Sequence, residues 1–163
     1  PLNLAIEKAD SLLESFDLRN AEDIYLEILD KHAENPSALL GLAKIYLISN
    51  RASKAFAILS DFPESRLYAK AEVLKPLAKV MVDFNENLLP GETDLDNFFH
   101  NCVRLIQRQN LPAALDGLLD IIRENRGYRN GLARDVFLAL LEILGEHNPQ
   151  TRKYRSELAT TLF

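Results

Sequence analysis

The chain has 163 residues, 47% apolar and 26% charged, values of a water-soluble domain large enough to bury a core. Its net charge of −5 sits at the front, where residues 1–65 carry 6 Lys/Arg against 11 Asp/Glu and residues 66–163 carry 13 of each, so no basic face is expected for nucleic acid. No apolar run is long enough to span a bilayer, and the single cysteine, Cys102, rules out an internal disulfide or a CxxC pair.

The sequence opens at Pro1 and shows no export leader, so the expectation is a piece of a longer, cytoplasmic protein. Leu2, Ile6, Ala9, Leu13 and Phe16 recur at helical spacing, and Ala21, Ile24, Tyr25, Ile28 and Leu29 mark a second helix. "ENPS" breaks the pattern, with Pro36 placed to start a third helix through Leu39, Leu42, Ile45, Tyr46 and Leu47. Ala55, Ile58 and Leu59 mark a fourth. A long apolar-rich stretch follows from Ser65, and Pro76 inside it is expected to kink or divide the helix. Pro90-Gly91 then reads as a turn and Thr93…Asp96 as a helix start. The acids there, Glu86, Glu92, Asp94 and Asp96, lack the spacing of a calcium loop and read as solvated loop and cap residues. "LPAALDGLLDII" is helical, the Arg-rich residues 123–129 read as a solvated turn, and a helix from about Leu132 to Leu144 stops at Gly145. A last helix carries Tyr154, Leu158 and Leu162 on one face. No stretch alternates with period two, so the chain is expected to be all-α.

The first and second helix pairs repeat. At an offset of 34 residues Ala9 answers to Ala43, Leu12 to Tyr46, Leu13 to Leu47, Ala21 to Ala55, Ile24 to Ile58 and Tyr25 to Leu59. Two helices per unit at this period is the tetratricopeptide signature. "GLAKIY", with Ala55 nine residues after Tyr46, is similar to that family's small–aromatic–alanine frame, although its tryptophan is absent. A third unit places Cys102, Leu105 and Ala114 in the same frame, making Cys102 a small buried residue at a helix crossing rather than a reactive thiol. The expected architecture is a single α-solenoid over residues 1–163: units at about 2–35, 36–63 and 94–125, a helical connector at 64–93, and C-terminal helices at 131–163.

Catalytic chemistry is not expected. His32, His100 and His147 stand in separate elements without ligand spacing, and no phosphate-cradling or nucleophile-elbow motif occurs. Neither a metal nor a cofactor is implied.

The C-terminal third narrows the reading. "AALDGLLDII", Arg134 before an apolar helix, "ILG" and the closing "YR..L...LF" resemble the end of bacterial thioredoxin-like co-chaperones, the chaperedoxin family. That resemblance covers about residues 110–163 and implies a helical repeat half that follows a thioredoxin-like domain. Such a half holds unfolded clients or docks on a chaperonin-type chaperone, and the resemblance assigns it no catalytic residue.

The tetratricopeptide frame implies that the first helix of each unit lines a concave surface. Asn3, Ile6, Asp10, Leu13 and Glu14 would face it, then Ser37, Leu40, Lys44, Leu47 and Ile48, then Asp96, Phe99, Val103, Ile106 and Gln107. The recurrent apolar positions suggest an apolar groove for extended hydrophobic segments. The candidate protein-binding residues are therefore Ile6, Leu40 and Phe99, with Tyr154, Leu162 and Phe163 on the last helix. Alternatives left open are a generic assembly or homodimerisation scaffold and, from another class, a small enzyme or ligand-binding helical domain.

Overall fold

A computed structural model describes residues 1–163, all of the regular structure being helical. In chain order the helices are α1 (Leu2–Glu14), α2 (Leu18–Lys31), α3 (Pro36–Ile48), α4 (Ala52–Ser60), α5 (Tyr68–Asn85), α6 (Asp94–Gln107), α7 (Leu111–Glu124), α8 (Leu132–Leu144) and α9 (Pro149–Leu162). A 3-10 turn at Tyr128–Asn130 precedes α8. None of these helices is long and apolar enough to cross a membrane.

Local chemistry explains the helix starts. Asn35, Asn110 and Asn148 each accept a backbone N–H of the first turn, and each is followed by proline at the first or second helical position. Thr93 and Asp96 form a reciprocal capping box at the head of α6.

The ends carry a repeat of their own. After α1, α3, α5 and α6 the chain turns through a left-handed residue, Phe16 (φ 60°), Asn50 (58°), Asn87 (59°) and Gln109 (62°). The next N–H then returns to a carbonyl five residues back: Asp17 to Leu12, Arg51 to Tyr46, Leu88 to Asp83 and Asn110 to Leu105, at 2.7–2.9 Å. Helices α2, α4 and α7 end differently, without a left-handed residue. The shared ending marks α1, α3, α5 and α6 as the same kind of element.

Packing follows the repeat up to α5. Each of α1 to α5 lies against its sequence neighbour, and α1 touches α3 as α3 touches α5. Ala9, Ala21, Ala43 and Ala55 are fully buried, as the close approach of helices at repeated alanines requires. α5 runs unbroken through Pro76, so the proline does not divide it. The bond lost is the one to the Glu72 carbonyl. Glu72 and Val73 are exposed there, while Leu74, Leu77 and Ala78 are buried on the opposite side. That burial outweighs a cost of about 3 kcal/mol.

Beyond α5 the order changes. α6 pairs with α7 and α7 with α8, yet α5 meets α6 only sparsely, and its most extensive neighbour is α8. The chain therefore makes two helical runs, α1–α5 and α6–α8, that join face to face through α5 and α8. α9 closes the second run against α7 and α8. One continuous apolar core runs through the whole assembly.

Candidate functional site

A cleft of about 240 Å³ opens where α1, α3 and the start of α5 meet the end of α8 and the turn after it. Its lining includes residues that the repeat frame places on the concave surface, Asp10 and Glu14 from α1 with Ser37 and Lys44 from α3. The apolar positions of the frame are largely covered: Leu13 and Leu40 reach the wall but are nearly buried, and Leu47 is fully so. The cleft is part apolar and part charged rather than the wholly apolar groove expected, because Leu13 and Leu40 bury most of their surface packing the helices together.

The charges in the cleft are paired across distant parts of the chain. Lys44 Nζ lies 2.8 Å from Glu142 Oε2, with the two side chains only 13% and 17% exposed, and ties α3 to α8. His147 Nδ1 lies 3.0 Å from Glu14 Oε1 and bridges the α8–α9 turn to α1. That contact, chiefly its hydrogen bond, raises the His147 pKa. Gly145 makes the turn at φ 87° and ψ 160°, a conformation that a side chain would strain.

Asp10 is held from below. The Tyr25 hydroxyl, on α2, donates to Asp10 Oδ1 at 2.5 Å. To reach it the ring passes through the space where residue 41 of α3 would carry a side chain, and that residue is Gly41. Burial pushes the Asp10 carboxyl up from its usual range, although the Tyr25 hydrogen bond and nearby Lys44 favour its charged form.

Of the six residues singled out for protein binding, Leu40, Phe99 and Tyr154 are core residues, and of these Leu40 also reaches the cleft wall. Phe99 packs on Tyr128 with ring centroids 5.7 Å apart. The Tyr154 ring meets Phe137, and its hydroxyl reaches Asp116 Oδ1 at 2.9 Å and the Pro112 carbonyl at 3.1 Å. Ile6 and Leu162 are half-buried against the core, whereas Phe163 is fully exposed.

Asp96, expected to be a solvated cap residue, is 0% exposed. Its carboxylate accepts the Tyr128 hydroxyl at 2.6 Å and the Arg129 guanidinium at 2.7 Å, besides the backbone N–H groups of Glu92 and Thr93. The Arg-rich turn is correspondingly not simply solvated. Arg129 (φ 44°), Asn130 (58°) and Gly131 (82°) run left-handed in succession to deliver the guanidinium to Asp96. Cys102 is buried against Gly117 at the α6–α7 crossing, and burial pushes its thiol up to about 12. A thiol so protonated is a packing residue.

Antiparallel helix pairs stacked around a concave cleft define a helical-repeat protein of the kind that binds other proteins. Residues 78–163 match the tetratricopeptide repeat family model, which spans more than half of the chain, and the chain belongs to that family. The match begins within α5, so the 34-residue repeat of the first two helix pairs lies outside it and supports the same assignment independently. No curated protein matches the chain.

Proposed function

We propose that this chain is the non-enzymatic, protein-binding half of a thioredoxin-like co-chaperone, holding unfolded clients or docking on a chaperonin-type partner. The observation that carries the reading is the end of α9. Thr151, Tyr154 and Leu158 are the buried residues of the helix, which packs against α7 and α8. Arg126 donates to the Leu162 carbonyl at 2.6 Å and braces the tip. Phe163 then stands fully exposed at the end of the helix, next to a half-buried Leu162. This is the segment whose "YR..L...LF" pattern resembles the co-chaperones.

Binding to a purified chaperonin, followed by biolayer interferometry, tests the proposal. The wild-type chain should bind, and a chain lacking Leu162 and Phe163 should melt normally but bind at least tenfold more weakly. No binding by the wild type, or full binding by the shortened chain, would overturn it.

A further inference from the structure

The cleft has a ligand chemistry of its own, separate from the tip of α9. Asp10 and Glu14 stand one turn apart on α1 and both line the cleft; Glu14 is engaged by His147, which leaves Asp10 as the carboxylate open to a ligand. Lys44, which lines the cleft, is neutralised by Glu142 and so does not oppose a positive ligand. The segment that builds α1 to α4 carries the whole of the chain's net negative charge, a field that draws basic partners toward this end of the molecule.

The hold on Asp10 adds direction to charge. Tyr25 occupies Oδ1 through the gap left by Gly41, which fixes the carboxylate while its other oxygen has no hydrogen-bond partner within the protein. We infer that the cleft docks an extended, basic segment of a partner protein, with an arginine or lysine side chain seated on the free oxygen of Asp10. The raised pKa of Asp10 agrees with a partly desolvated carboxylate that gains from a cation. Lys70 is the one lysine at the cleft without a carboxylate in salt-bridge range, and it sets the sign of a second test. The inference rests on the protein-binding reading of the fold and is independent of the chaperonin partner.

Fluorescence anisotropy with a labelled, unstructured peptide of glycine, serine and arginine provides the measurement, alongside the same peptide with glutamine for arginine. The arginine peptide should bind, with affinity that falls as salt rises. Asp10→Asn keeps an acceptor for Tyr25 and should weaken binding about tenfold, the scale of a charge-assisted hydrogen bond. Asp10→Glu should recover part of the loss, and Lys70→Gln should tighten binding. Chaperonin binding should be unchanged in Asp10→Asn, so loss of one activity does not imply loss of the other. Equal affinity for the two peptides, no binding of either, or an Asp10→Asn variant as tight as wild type would each overturn the inference. Free arginine saturating the cleft as tightly as the peptide does would overturn the assignment to a polypeptide.

Discussion

Tyr25 and Gly41 share one space: a Cβ built on Gly41 would lie 2.2 Å from Cζ of the Tyr25 ring. The ring cannot retreat, because it is fully buried and its hydroxyl is committed to Asp10. Gly41→Ala should therefore destabilise by about 3 kcal/mol, the upper part of the range for overpacking a core. Gly117→Ala makes the comparison. Its Cβ would lie 2.7 Å from Cys102 Sγ, a small atom that Cys102→Ala removes. Urea unfolding should show the two changes at 117 and 102 to be non-additive, the double variant being more stable than the sum of the single effects. Additive behaviour would mean that the α6–α7 crossing has room for both groups.

Acid should act through Asp96. The Arg129 guanidinium holds its carboxyl far below the usual carboxylate range. Burial opposes this, while the Tyr128 hydroxyl and two backbone N–H groups assist. A carboxyl depressed on folding stabilises the native state fully above its unfolded value of about 4, and that contribution is lost as pH falls toward the folded value. At neutral pH Asp96→Asn should cost about 1.5–3 kcal/mol, the scale of hydrogen bonds to a charged group. Between about pH 4 and pH 2 the stability of the wild type should fall more steeply than that of the variant. Parallel curves over that interval would remove Asp96 from the acid response.

Phe16 occupies a left-handed conformation that its counterparts fill with Asn50, Asn87 and Gln109, so it bears the steric cost of a bulky side chain there. Phe16→Gly should stabilise by about 0.5–1 kcal/mol. Relief of strain exceeds both the extra backbone entropy that glycine gives up on folding and the packing of a ring that is partly exposed. Ser15→Gly, one residue earlier at φ −89°, relieves no such strain and should destabilise. Thermal melts of the pair settle the sign.

Helix positions are legible in the sequence because their signals are local. Asn35-Pro36 and Asn148-Pro149 announce starts, and Ala9, Ala21, Ala43 and Ala55 repeat at one offset because they occupy one kind of crossing. Partners across the fold are not legible. Periodicity says that α5 and α8 each have an apolar face, but nothing in either stretch says that the two faces meet. Asp96 and Arg129 each look solvated in isolation, for neither segment contains the other's charge. Gly41 is visible only as the first letter of "GLAKIY", and its role depends on a ring from a different helix. For the site, the repeat frame names Asp10, Glu14, Ser37 and Lys44 among its concave positions, and these do line the cleft. Among the apolar members, Phe99 is buried in the core, whereas Leu40 is nearly buried yet reaches the cleft wall.

The joining of α5 to α8 bears on how the chain is made. A simple repeat array can settle helix by helix as it leaves the ribosome, each new element covering the last. Here the face of α5 that α8 covers must wait until α6, α7 and the Asp96-bound turn have been synthesised. At roughly 5–20 residues per second that interval lasts several seconds, with an apolar surface open to unwanted contacts. A nascent chain arrested after α7 should therefore be far more prone to aggregate than one arrested after α8.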